Sequence, residues 1–158
     1  MRVLVAIDSF KGSLTSLQAG NAVKEAVLKL DRSADVSVHP LADGGEGTVE
    51  ALAMGLDGNI VEVAVTGPLS ASVNARYCIL KDQKTAVIEM SAAAGITLVP
   101  ADARNPLETT TFGVGEIIRD AIMRGCRHFI VGIGGSATND GGVGMLSALG
   151  FEFSDENG

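Results

Sequence analysis

Near-continuous apolar runs alternate with helical stripes along this chain, and each run ends in a loop of small residues. Residues 2–8, RVLVAID, read as a central parallel strand that delivers Asp8 to the carboxyl edge of a sheet. After the loop SFKGSL, Thr15 at N-cap and Gln18 at N3 form a capping box. Ala19, Ala22, Val23, Ala26, Val27 and Leu30 then continue one helical face. A polar turn leads to a second strand around 36–41, so residues 2–41 predict a strand–helix–strand unit.

A second glycine-rich loop, Ala42–Thr48, precedes a short helix carrying Val49, Leu52 and Ala53. Beyond Gly58 the period changes. Val61, Val63 and Val65 alternate with Glu62, Ala64 and Thr66, and apolar stretches at 73–80 and 85–90 flank the polar Lys81–Lys84, a hairpin signal. The region 59–90 therefore predicts an antiparallel subdomain or sheet extension. Val114, Ile117, Ile118, Ala121 and Ile122 mark an amphipathic helix closed by Gly125.

The stretch His128–Gly150 reads as a strand covered on both faces, a loop of small residues and a helix with a Val143, Leu146, Leu149 stripe. The loop contains Gly134, Gly135, Gly141 and Gly142, more than a tight turn needs. Its backbone N–H groups and the following helix N-terminus predict an anion-binding loop, against the plainer alternative of a turn capped by Asn139 or Asp140. The last residues, FEFSDENG, start another strand, so the expectation is a chain cut at 158.

Composition narrows the partners. Twelve basic against nineteen acidic residues give a net charge of −7 over 158 residues, which argues against nucleic acid or an anionic membrane surface. The length suits a domain with a real core. Cys78 and Cys126 are far apart without a CxxC pairing and predict buried free thiols. No signal peptide or membrane span is evident, and the expectation is a cytoplasmic protein.

Candidate chemistry gathers at three strand ends. Lys11 is either a solvated charge or a phosphate contact beside Asp8 and Ser9. Asp43 and Glu46 are either turn and helix-entry acids or hard oxygen ligands for Mg²⁺. Asp140 reads as an N-cap, a magnesium ligand or a general base toward a substrate hydroxyl. His39 and His128 are isolated and build no catalytic cluster. A Walker A motif is absent. Gly132–Ala137 matches GxGxxA, but Thr138–Gly142 would then fall inside the helix such a motif should open.

The segments DSFKGSL (8–14), ADGGEGT (42–48), NPLETTTFGVGE (105–116) and GIGGSATNDGGVGML (132–146) together resemble the bacterial type 1 glycerate kinases. TGPL (66–69) and EMSAAAGI (89–96) fit the same pattern. The resemblance implies ATP- and Mg²⁺-dependent phosphorylation of D-glycerate, usually to 2-phosphoglycerate, by a two-domain α/β protein with its active site between the domains. Family members are about twice this length or more, so the 158-residue chain alone is expected to be inactive.

The expected fold is α/β: an open, mostly parallel sheet with flanking helices in Rossmann-like or flavodoxin-like layering, plus the antiparallel hairpin subdomain. Residues 1–58 would belong to a first domain and 59–158 to the start of a second. On this reading Gly134, Gly135, Ser136, Thr138 and Asn139, with Asp8 and Ser9, bind substrate or phosphate. Asp43 and Glu46 hold Mg²⁺, Lys11 neutralises phosphate, and Asp140 accepts the hydroxyl proton. The rivals are a nicotinamide-dependent oxidoreductase using Gly132–Ala137 and a non-catalytic fragment. The oligomeric state stays open, a homo-oligomer included.

Overall fold

The computed structural model describes residues 1–10 and 13–154. Strands β1 (Arg2–Ile7) and β2 (Asp35–Pro40) pair in parallel and are joined by helix α1 (Ser16–Leu30). The capping box forms as the sequence dictates: Gln18 N donates to Thr15 Oγ1 at 3.2 Å, and Thr15 N donates to Gln18 Oε1 at 2.9 Å. Helix α1 sits close on the pair because Gly20 faces Val38 and Ile7, where a Cβ would collide with Val38 Cγ1. The expected burial of β1 on both faces needs correction. Among the described residues β1 pairs with β2 alone, so Val5 is buried while its neighbour Leu4 is 65% exposed.

After α2 (Thr48–Gly55) a second sheet begins. Strands β3 (Asn59–Thr66), β4 (Ser72–Ile79), β5 (Thr85–Glu89) and β6 (His128–Gly132) lie in that order. The first two pairings are antiparallel and β5·β6 is parallel. The expected hairpin joins β4 to β5, and Asp82 closes it by accepting from Lys84 N and Thr85 N, each at 2.9 Å. Mixed α/β architecture with flanking helices is therefore the fold class. Its strands divide between two sheets, because the antiparallel strands extend the sheet that holds β6.

Helix α3 (Ser91–Ala94), two 3₁₀ turns and helix α4 (Phe112–Met123) carry the chain from β5 to β6. Tyr77, Ile88, Val114 and Ile117 are fully buried where α4 covers this sheet. Tyr77 OH donates to Asp120 at 2.7 Å, and Arg124 Nε donates to the same oxygen at 2.8 Å. Cys78 and Cys126 are buried free thiols, as expected. The entry of α4 is pinned by Glu116, which accepts from Thr66 N at 2.6 Å. A Cβ on Gly113 would strike the Thr66 carbonyl, which explains a glycine at that contact.

Two apolar segments differ from expectation. Strand β6 is an edge strand, with Ile130 45% and Val131 37% exposed, because its far side has no neighbour among the described residues. Helix α5 (Val143–Ala148) does not pack through the stripe beginning at Val143, which is 44% exposed. It packs edge-on instead: Gly115 of α4 lies against Met145 O and Ala148 Cβ, and Gly144 lies against Thr110 and Phe112 N. Small residues on both helices permit that approach.

Candidate functional site

The loops after β1, β2 and β6 all leave the carboxyl ends of parallel strands, where open α/β folds place their crevices. The loops after β2 and β6 are in direct backbone contact. Gly134 N donates to Gly44 O at 3.0 Å. A Cβ on Gly132 would collide with Gly44 O, and one on Gly134 would lie 2.7 Å from Gly45 Cα. Gly132 and Gly134 of GIGG thus serve first to let two main chains touch.

A cleft of about 510 Å³ opens beside this contact. Its walls carry Asp8, Ser9, Asp43, Glu46, Gly134 and Gly135, so residues expected from three separate loops share one cavity. Asp8 Oδ1 accepts from Ser9 N at 2.6 Å, and Asp43 Oδ1 accepts from Gly45 N at 3.2 Å. A neighbouring cavity of about 250 Å³ shares Ser9 and Glu46. Lys11 lies outside the described residues. Arg76, paired with Glu50 at 3.1 Å, also lines the main cleft.

Glu89, at the end of β5, was not singled out by the sequence. It lines the same cleft and is only 8% exposed. Val49 N donates to Glu89 Oε1 at 2.7 Å, so this side chain from one sheet caps α2, whose own N-cap, Gly47, has no side chain. Burial pushes the Glu89 carboxyl above its ordinary range, and the neighbouring Glu50 adds to the rise. Hydrogen bonds from Val49, Gly47 and Thr48 oppose it. The only local signal was an acid ending an otherwise apolar strand.

Asp140 is not among the residues lining this cleft. Its carboxylate accepts four hydrogen bonds: Thr111 N at 2.9 Å, Thr111 Oγ1 at 2.7 Å, Gly142 N at 3.0 Å and Gly144 N at 3.2 Å. Burial raises its pKa, but these bonds together outweigh burial and hold the carboxyl below its ordinary range. Met145 N donates to Thr111 Oγ1 at 2.9 Å. The first amides of α5 therefore already have partners inside the protein, which removes the expected anion site at that helix N-terminus.

Several amides of the loop itself are engaged too. Besides Gly134 N, Ala137 N donates to Ala94 O at 2.8 Å, Thr138 N to Ser136 Oγ at 3.1 Å and Asn139 N to Pro106 O at 3.2 Å. Gly135 N, Ser136 N, Asp140 N and Gly141 N have no protein acceptor among the described residues. Ser136 and Thr138, whose hydroxyls lie 2.9 Å apart, face a separate pocket. As a dinucleotide loop the segment fails, because helix α5 starts only at Val143 and Gly132 is packed against Gly44.

Among the described residues, no three His, Cys, Asp or Glu side chains converge as a metal cluster. None of the described helices is long and apolar enough to cross a membrane.

The glycerate kinase family model matches residues 3–158. A glycerate kinase of Bacillus subtilis is 50% identical over all 158 residues, which span 41% of that protein. The glycerate 2-kinase of Escherichia coli K12 is 48% identical over the whole chain, which covers 42% of its length. A crystal structure named provisionally as glycerate kinase 2, from Salmonella typhimurium LT2, superposes with a TM-score of 0.79 at 51% identity. That match covers 95% of this chain and 40% of the other. The chain thus spans about 40% of the length of the relatives it matches.

Proposed function

The chain belongs to the glycerate kinase family, and on that premise we propose that it forms part of a cytoplasmic enzyme transferring phosphate from ATP to D-glycerate. The product is 2-phosphoglycerate, a choice supported by the name of the Escherichia coli relative. The observation that carries the reading is the convergence of Asp8–Ser9, Asp43–Glu46 and Gly134–Gly135 on one cleft. Its volume of about 510 Å³ lies within the ~300–1,000 Å³ usual for small-molecule sites. We assign one domain to each sheet, 1–58 and 59–158, with helix α2 of the first packed on β4 and β5 of the second and the cleft where their loops meet.

Asp43 and Glu46 fit a magnesium ion. Both are exposed on the cleft wall, offer hard oxygen donors, and join no ion pair among the described residues. Magnesium commonly binds through one or two carboxylates, completing its shell with phosphate oxygens and water. When bound it would neutralise charge on the transferring phosphoryl group.

Phosphoryl transfer depends chiefly on positioning and charge. Gly134 and Gly135 present a wall without side chains, so a ligand can approach the backbone closely. Asp8 is the acid placed to accept the glycerate hydroxyl proton. Asp140, first expected in that role, becomes a positioning residue that locks the loop after β6 to the entry of α4. Lys11 remains the candidate phosphate contact.

The test is ADP release from Mg·ATP on addition of D-glycerate. It is measured for the 158-residue chain and for a full-length chimera in which these residues replace the matching part of the Bacillus subtilis relative. Turnover is expected in the chimera and absent from the chain alone, which spans less than half of the relatives. A folded chimera without glycerate-dependent ADP release would refute the reading.

A further inference from the structure

A smaller pocket, about 180 Å³, lies next to the main cleft along the same loop, and the two share Ile96. Its polar lining is Arg104, Asn105, Ser136 and Thr138, over a floor that includes Val99. The contrast in charge is sharp. The main cleft is lined by Asp8, Asp43, Glu46 and Glu89, whereas no carboxylate lines the smaller pocket. In a chain of net charge −7, that makes Arg104 a local cation without local competition.

Arg104 Nε donates to Val99 O at 3.4 Å, and among the described residues no carboxylate lies within ion-pairing distance of its guanidinium. Asp102 and Glu108 flank it in sequence yet do not line the pocket. Asn105 Oδ1 accepts from Leu107 N at 3.2 Å, which leaves its NH₂ group to donate. The pocket is also held in shape. Asn139 N donates to Pro106 O at 3.2 Å, and the buried Thr109 Oγ1 donates to Ala137 O at 2.7 Å, so the Arg104–Pro106 segment is tied to the Ser136–Thr138 segment.

We propose that Arg104, with Asn105, Ser136 and Thr138, seats the carboxylate of the small hydroxy acid, beside the cleft that takes the nucleotide. The Ser136 and Thr138 hydroxyls bond each other, which leaves one hydroxyl proton free to join the Arg104 guanidinium fork in meeting a carboxylate's paired acceptors. The pocket lies below the ~300–1,000 Å³ of drug-sized sites, which suits a three-carbon acid and excludes a nucleotide. That the carboxylate belongs to the phosphoryl acceptor rests on the activity proposed above; the anion seat itself does not.

Two measurements separate these claims. In NMR titrations of the ¹⁵N-labelled 158-residue chain, D-glycerate should saturably shift the Ser136 and Thr138 amides, while glycerol, which lacks the carboxylate, should not. Arg104→Gln should weaken glycerate binding by about tenfold or more, as expected for a lost charge-assisted bond. Arg104→Lys should recover part of it. Equal shifts with glycerol, an unchanged affinity in Arg104→Gln, or tighter binding of Mg·ADP at the same amides would overturn the seat. In the full-length chimera, Arg104→Gln should raise the glycerate KM by about tenfold and leave the ATP KM unchanged. An unchanged glycerate KM with normal turnover would refute the seat and leave the kinase reading intact. Carboxylate binding without turnover would do the reverse.

Discussion

The main-chain N–H of Gly134 donates to the carbonyl of Gly44 at 3.0 Å, pinning the loop after β6 to the loop after β2. The cleft exists where those loops meet. Gly132 and Gly134 each stand where a side chain would collide with the opposite main chain, so the geometry of the site and the packing of the seam are one property.

Alanine at Gly132 or Gly134 should therefore open the seam. Overpacking of this kind costs ~1–3 kcal/mol, read as a lower urea midpoint with an unchanged m-value. Gly55 is the control: it has open space around it and no positive φ. Gly55→Ala, at the end of α2, should be neutral or gain up to ~1 kcal/mol. Equal effects at the seam and at Gly55 would contradict the contact.

Asp140→Asn should destabilise the protein by ~1–3 kcal/mol, because a single amide oxygen cannot satisfy the four donors now facing the carboxylate. The pH dependence has a defined sign. The Asp140 carboxyl sits below its ordinary 3.8 when folded, so its contribution is present above that value and fades as pH falls through the lower folded value. Wild type and variant should converge in stability in acid. A parallel offset at every pH would contradict the carboxylate's role.

Glu89 titrates in the opposite sense. Its carboxyl lies above the ordinary 4.5, so its ionisation costs stability as pH rises through the raised value. Glu89→Gln keeps an oxygen for Val49 N and removes that cost, and it should match wild type near pH 4 and exceed it near neutrality. Glu89→Ala removes the cap of α2 and should lose ~0.5–2 kcal/mol. Thermal melts of both variants across pH check this; a Gln variant less stable than wild type at neutral pH would contradict it.

Much of this was legible because it is local. The Thr15–Gln18 capping box, the Lys81–Lys84 hairpin and the α4 stripe each depend on residues a few positions apart. The three loops were also legible as strand-end loops, since apolar runs and glycine clusters mark them. Long-range partners were not. Nothing near Asp140 announces Thr111, and nothing near Glu89 announces Val49. Glycines read as an anion cradle are also what two main chains need in order to touch, and one sequence pattern serves both. The exposure of Leu4, Ile130 and Val131 was hidden for a related reason: apolar character implies a cover without saying which residues provide it.

The magnesium assignment makes its own demand. In the full-length chimera, Asp43→Asn and Glu46→Gln should each raise the Mg²⁺ concentration needed for half-maximal rate by about tenfold or more, taking each carboxylate's charged contact as 1.5–3 kcal/mol. The glycerate KM should hardly move. A magnesium dependence identical to wild type in both variants would take these two acids out of the metal site.

The most direct test of the central claim is ³¹P NMR of the chimera incubated with Mg·ATP and D-glycerate. The expected result is loss of the ATP γ-phosphate signal matched by a new phosphomonoester resonance assigned to 2-phosphoglycerate, with none when glycerate is omitted. A folded chimera that yields no phosphomonoester, or yields inorganic phosphate at the same rate with and without glycerate, would contradict it.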